Sequence, residues 1–197
     1  SGYSGLNATA KALRDAGITD VPILVLSQQP SSQATQLVEA GLTPTVYSPE
    51  AIAAIAAAGA TNVHLKIDTG MRRVGARPED AVGLCEAIAA SGLCLEGVFT
   101  HLAMADEPDD PATEEQLDRF DAVLAEIRAA GHEPLLVHAA NSAGALAHPR
   151  ARFDLVRLGI AMYGIEPGPG VGAFCGELQP ALRLVARASH VKRVQPG

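Results

Sequence analysis

The chain has 197 residues, 48% of them hydrophobic and 19% charged, so it can bury a sizeable core and does not read as disordered. Fifteen Lys and Arg against 22 Asp and Glu give a net charge of −7, which argues against a partner recognised through a phosphate backbone. Cys85, Cys94 and Cys175 are odd in number and widely spaced, and match neither a disulfide framework nor a metal knuckle. A reducing compartment is therefore expected, with no metal. No apolar run reaches the roughly 18 residues of a membrane span, and no secretion-signal layout opens the sequence. The expected location is the cytoplasm.

Six short β-rich runs follow one another along the chain: Pro22–Ser27, Leu42–Tyr47, Asn62–Asp68, Leu93–His101, Pro134–Ala139 and Phe153–Gly164. Several are almost continuously apolar, as strands buried on both faces are. Helical stretches lie between them. Ser48-Pro49-Glu50 supplies a cap, a first-turn proline and a dipole-matched acid, and Gly59 can end that helix. Glu79 to Ala90 reads as another helix, ended near Gly92. Thr113 and Gln116 have capping-box spacing, and Leu117, Phe120, Leu124 and Ile127 behind them form one helix face, with Gly131 as the stop. Repeated strand–helix alternation implies a parallel α/β sheet, either doubly wound or closed into a barrel. The first strand is not followed by G-x-G-x-x-G, which weakens the dinucleotide-binding version. Beyond Gly164, the run Glu166–Gly172 is a Pro/Gly linker, and Leu182–Val194 reads as an extended β segment.

In parallel α/β folds, functional side chains collect at the C-terminal ends of strands. Those positions are dense in polar residues here: Lys66 to Gly75, Thr100-His101, His138 to Ser142, and Arg157 to Gly164. Singly, each has a plain structural reading. His101 could be a hydrogen-bonded structural histidine, Asn141-Ser142 could cap the next helix, and Arg72 and Arg73 could be a solvated pair. Arg157 could sit at the surface, although a cation within an apolar run asks for a buried partner. Lys66 lies between Leu65 and Ile67 and so points to one face, where burial would favour a neutral amine or an anion. Cys85 and Cys94 are expected to pack as small apolar residues. His148-Pro149 and Asp106–Asp110 read as solvated turns.

Taken together these strings are more specific. HLKIDTGMRRVG, FTHLAMADEPDD, HAANSAGAL and FDLVRLGIAMYG resemble successive motifs of the alanine racemase family, in that family's order, from about Ala12 to the end. The resemblance implies a (β/α)8 TIM-type barrel binding pyridoxal 5'-phosphate, followed by a C-terminal β domain. The six runs then correspond to barrel strands three to eight, with residues 1–169 as the barrel part and 170–197 as the opening of the β domain. Asn141 and Ser142 match the motif that holds the cofactor phosphate, and Gly159 and Ile160 match residues whose amides contact it. Arg157 matches the arginine facing the pyridine nitrogen, and His101 and His138 the histidines that orient it. Arg73 matches the arginine near the substrate carboxylate and the catalytic tyrosine, and Lys66 the lysine often carbamylated to hold that arginine. Arg72 stands where the family commonly has Gly or Asn. Because guanidinium only donates, the pyridine nitrogen facing it must be an unprotonated acceptor and the ring a weaker electron sink. That favours return of the proton to the α-carbon over transamination.

The resemblance also marks what these residues lack. The family's Schiff-base lysine sits in a K-A-[DN]-x-Y-G-H-G-type motif that does not occur here. Lys11, in a helical stretch, is no substitute, and Ser1–Thr9 could stand in for strand two. Tyr3, Tyr47 and Tyr163 lie outside the motif of the family's catalytic tyrosine. The expectation is a piece of a longer homodimeric enzyme, inactive by itself, whose parent interconverts L- and D-alanine to supply D-alanine for bacterial peptidoglycan. Two alternatives stay open: a non-catalytic barrel module that binds the cofactor, and a serine racemase of the same fold.

Overall fold

The computed structural model describes residues 4–193 and 195. Tyr3, Val194 and the side chain of Lys11 lie outside the described residues. Ten regular elements carry the architecture: α1 (Ser4–Asp15), α2 (Ala34–Glu39), β1 (Thr45–Val46), α3 (Pro49–Ala57), β2 (Asn62–Lys66), α4 (Ala81–Ala90), β3 (Cys94–Phe99), α5 (Ala112–Ala129), β4 (Leu136–His138) and α6 (Ser142–Ala147). The four strands pair in parallel, in chain order β1-β2-β3-β4. A doubly wound sheet reverses its order at a switch point, whereas a barrel wall does not. The chain is therefore a segment of a TIM-type β/α barrel wall. The first predicted run makes a single parallel bridge, Leu24 with Thr43, just ahead of β1.

The helices cover the outer face as their sequences dictate. Ser48 accepts the Ala51 amide at 3.3 Å and starts α3, which buries Ala51, Ile52 and Ile55. Leu117, Phe120, Leu124 and Ile127 are all buried along α5. The expected capping box does not form: Asp110 instead accepts the Ala112 amide at 2.8 Å ahead of Pro111, while Thr113 is buried inside the first turn. Asp-Pro at a helix start leaves Gln116 free for another task, described below.

Five further expectations are corrected. Ser4–Thr9 lies in α1 and is not a strand. The run Phe153–Gly164 forms no strand, and Ile160–Tyr163 is a 3-10 turn. It lies beside β4 through Asp154 N to Val137 O at 3.1 Å and Arg157 N to Ala140 O at 3.0 Å. Its next amides, Gly159 and Ala161, turn to the Ser142 hydroxyl, so the ladder stops. The segment 182–193 pairs with no strand among the described residues and is exposed, Leu184 almost fully. Cys94 is exposed at the start of β3 whereas Cys85 is buried, and His148 is buried against Ala105 O at 3.2 Å and is no solvated turn residue.

Candidate functional site

The interior face of the sheet is polar where a purely structural core would be apolar. His64 and Lys66, two apart on β2, share that face by strand periodicity and are both buried. Register places Gly97 beside His64, and Phe99 beside both Lys66 and His138. The Phe99 ring stacks on His138, with centroids 4.5 Å apart and planes within 7°. Lys66 Nζ lies 5.3 Å from the Phe99 centroid and donates to Leu26 O at 3.3 Å. Burial first, then Arg73 and Arg157, push its pKa down to about 8.

Arg157 is the hub. Its guanidinium donates to His138 Nδ1 at 2.7 Å, to Thr100 O at 2.8 Å and to Ala139 O at 2.9 Å, with His101 Nδ1 at 3.4 Å. No carboxylate pairs with it among the described residues. Burial alone lowers its pKa to about 10, which still leaves it charged at neutral pH. Both histidines beside it are held neutral. Burial, then Arg157, lowers His138 to about 2, and burial, then Arg157, Arg73 and Lys66, lowers His101 to about 4. A neutral imidazole keeps one nitrogen as an acceptor, which is what a donor-only guanidinium requires.

Next to Arg157, Ser142 gathers two amides: its Oγ accepts Gly159 N at 2.9 Å and Ala161 N at 3.3 Å. Asn141 caps α6 by accepting Gly144 N at 2.9 Å and ties it to the loop after β3 by donating to Leu102 O at 3.3 Å. His101, Asn141, Ser142, Arg157, Gly159 and Ile160 together line a cleft of about 420 Å³, large enough for a small ligand. Lys66 and His138 are buried and do not line it. Arg73 is exposed on the loop after β2, where Asp68 Oδ1 accepts the amides of Gly70 at 3.0 Å and Arg72 at 2.9 Å. Arg72 takes φ +54°, the left-handed region that Gly and Asn enter most easily.

The alanine racemase N-terminal domain model matches residues 7–167. The chain belongs to the alanine racemase N-terminal domain family. The alanine racemase of Thermobifida fusca is 45% identical over 199 residues, covering 96% of this chain and 52% of that protein. That of Desulfovibrio desulfuricans is 40% identical over 205 residues, covering 100% of this chain and 55% of its own length. The chain thus spans about half the length of the curated relatives it matches. Among solved structures, alanine racemase from E. faecalis superimposes with a TM-score of 0.84 at 37% identity, over 95% of this chain and 52% of that one. The Clostridium difficile enzyme, solved in complex with cycloserine, gives 0.82 at 34% identity, over 88% and 50%.

Several further residues of this site carry no obvious mark in the sequence. His64 opens the string HLKIDTGMRRVG, and its two-residue spacing from Lys66 is the available signal. Glu96 reaches His64 at 3.7 Å and accepts from Asn62 Nδ2. Gln116 on α5 accepts Ala103 N at 2.8 Å and donates to His101 O at 3.1 Å and Thr69 Oγ1 at 3.2 Å, which fixes the backbone that carries His101. Ala161, not Ile160, shares the Ser142 hydroxyl with Gly159. Only the folded backbone reveals that pairing.

Proposed function

We propose that this chain forms the cofactor-binding barrel of a pyridoxal 5'-phosphate-dependent alanine racemase. In this reading residues 1–169 belong to the barrel and 170–197 open a following β domain. The observation that carries it is the convergence of the Ser142 hydroxyl and the Gly159 and Ala161 amides beside a donor-only Arg157. One Nη1 hydrogen and the Nε hydrogen of Arg157 meet no acceptor among the described residues, so the guanidinium has donors left for a ligand.

These residues fit the group chemically. Amides and a hydroxyl at a strand-to-helix turn suit a phosphate ester, with Asn141 fixing the turn. Arg157 would face the ring nitrogen, which would then have to be unprotonated to accept from a donor-only guanidinium. When bound, the cofactor supplies carbanion stabilisation at the substrate α-carbon. His138 and His101 accept from the guanidinium and hold its plane. Gly159 and Ile160 bring backbone to the phosphate end of the cleft. Arg73 offers an exposed guanidinium to a substrate carboxylate. Lys66, with a pKa near 8, has the neutral fraction that carbamylation needs, and the resulting anion would offset the Arg73 charge. The substrate is alanine, interconverted between its L and D forms and supplying D-alanine for peptidoglycan, in a cytoplasmic bacterial homodimer.

The test is α-proton exchange of L- and D-alanine in deuterated water by the full-length protein with added pyridoxal 5'-phosphate. Exchange and interconversion are expected with wild type, and an Arg157→Ala variant is expected to lose most of both. Failure of wild type to exchange alanine, with serine exchanged instead, overturns the substrate; failure with both overturns the reading.

A further inference from the structure

A buried polar row runs behind Arg157, and beyond His138 it holds His64 and Glu96, which the proposed function leaves unused. His138 Nε2 lies 3.0 Å from His64 Nδ1, and His64 Nε2 faces Glu96 Oε2 at 3.7 Å. Both imidazoles are buried, His138 completely. They belong to β2 and β4, which are separated by β3, and they meet because β3 carries Gly97 between them. A Cβ on Gly97 would overlap the His64 ring. The β2–β3 register also shifts between Val63 and His64, which adjusts where that ring crosses.

Donor logic gives this row one direction. Arg157 only donates, so His138 Nδ1 is an acceptor without a proton. A neutral His138 therefore carries its proton on Nε2 and donates to His64 Nδ1. A neutral His64 then carries its proton on Nε2, facing a carboxylate. The opposite tautomer of His138 would set N–H against N–H at Arg157, and a proton on His64 Nδ1 would do the same at His138. Either arrangement buries a clash between donors.

We propose that His64 is a positioning residue: with Glu96 behind it, it locks His138 in the Nε2–H tautomer and thereby keeps the acceptor that seats Arg157. The effect on catalysis rests on the reading of Arg157 as the cofactor-facing group, whereas the tautomers do not. The row is the histidine counterpart of an orienting residue behind a ligand, in which the hydrogen bond at one ring nitrogen decides what the other can do.

The experiment is a long-range proton–nitrogen correlation on the full-length protein labelled at histidine, with and without pyridoxal 5'-phosphate, alongside racemase kinetics. In wild type both His138 and His64 are expected to show a pyrrole-type Nε2 and a pyridine-type Nδ1. His64→Phe keeps a ring but removes the acceptor. It is expected to release His138 from the single tautomer and to lower kcat/KM about tenfold, the worth of one hydrogen bond. His64→Asn presents a carbonyl oxygen near the old Nδ1 and is expected to restore both tautomer and rate to within about threefold of wild type. A pyrrole-type Nδ1 on wild-type His138 overturns the proposal without any variant. So does a His64→Phe protein whose His138 signals and kcat/KM match wild type, or a His64→Asn protein no better than His64→Phe. If cofactor binding or racemisation is absent while the wild-type tautomers are as stated, the functional reading fails and the tautomer lock stands.

Discussion

Replacing Ser142 with Ala removes one oxygen and should loosen the floor of the cleft. That oxygen is buried and accepts two backbone amides, Gly159 at 2.9 Å and Ala161 at 3.3 Å, which hold the 3-10 turn Ile160–Tyr163 against the start of α6. The two amides differ in surroundings. Gly159 is exposed and water can replace the lost acceptor, so its bond contributes about 0.5–1 kcal/mol net. Ala161 is buried, and its amide left without an acceptor costs about 1–2 kcal/mol. The sum is about 2 kcal/mol, or a fall in Tm of about 4–8 °C for a domain of this size. Differential scanning calorimetry of wild type and Ser142→Ala measures the first quantity. Amide hydrogen exchange supplies a local check: protection at Gly159 and Ala161 should fall, while Ala140 and Arg157, bonded elsewhere, keep theirs. A Tm within about 1 °C of wild type, with unchanged exchange at both amides, would refute the assignment of Ser142 as the anchor of this turn.

Three other outcomes follow from the same structure. Arg72→Asn should stabilise the protein by about 0.5–1 kcal/mol in urea unfolding, because Arg72 sits at φ +54° and Asn tolerates that region while keeping the amide that Asp68 accepts. Lys66 titrates near 8 folded and about 10.4 unfolded, so between those values the unfolded chain binds more protons and stability rises with pH. Lys66→Met should lack that rise, and the difference between the two unfolding curves from pH 7 to 10.5 checks it. For His101 and His138, lowered to about 4 and about 2, the contribution is full above the unfolded value of about 6.5. It is lost as pH falls from there, at up to about 1.4 kcal/mol per unit for each histidine. A His138→Phe variant should show a shallower loss of unfolding free energy between pH 6.5 and 4.

Much of this was legible in the residues, and the exceptions share a cause. The helix start at Ser48-Pro49 and the buried stripe on α5 follow from local rules that depend on neighbours three or four positions away. The cluster of His101, His138, Asn141, Ser142 and Arg157 at strand ends was visible as a concentration of polar residues after apolar runs. What failed depended on where backbone groups find partners across the fold. Phe153–Gly164 has the composition of a strand, yet only Asp154 N reaches a β4 carbonyl, Val137 O, while Arg157 N goes to Ala140 O beyond the strand and the Gly159 and Ala161 amides to a serine hydroxyl. His148 looks like a turn residue until Ala105 O closes over it. Glu96 gives no local sign of a role, because its importance comes from His64 on the neighbouring strand.

The charge arrangement itself points to an anion. Lys66 and Arg157 are drawn into the site, and Arg73 is near enough to depress Lys66, while the acid acting on that lysine is Asp68, which is already engaged with two amides. A structural core that buries a guanidinium normally places a carboxylate against it, because a lone buried cation is costly. Arg157 instead rests on two carbonyls and a neutral histidine, and the carboxylate at the far end of that row, Glu96, is separated from it by two imidazoles. Moving the acid so far back fixes the geometry of the guanidinium without neutralising it, and leaves its charge for whatever enters the cleft. Asp106 also lines the recess, so its cationic end is at Arg157, where one Nη1 hydrogen and the Nε hydrogen meet no acceptor among the described residues. A ligand group that brings its own negative charge, such as a phosphate ester or a carboxylate, complements that Arg157 end of the cleft.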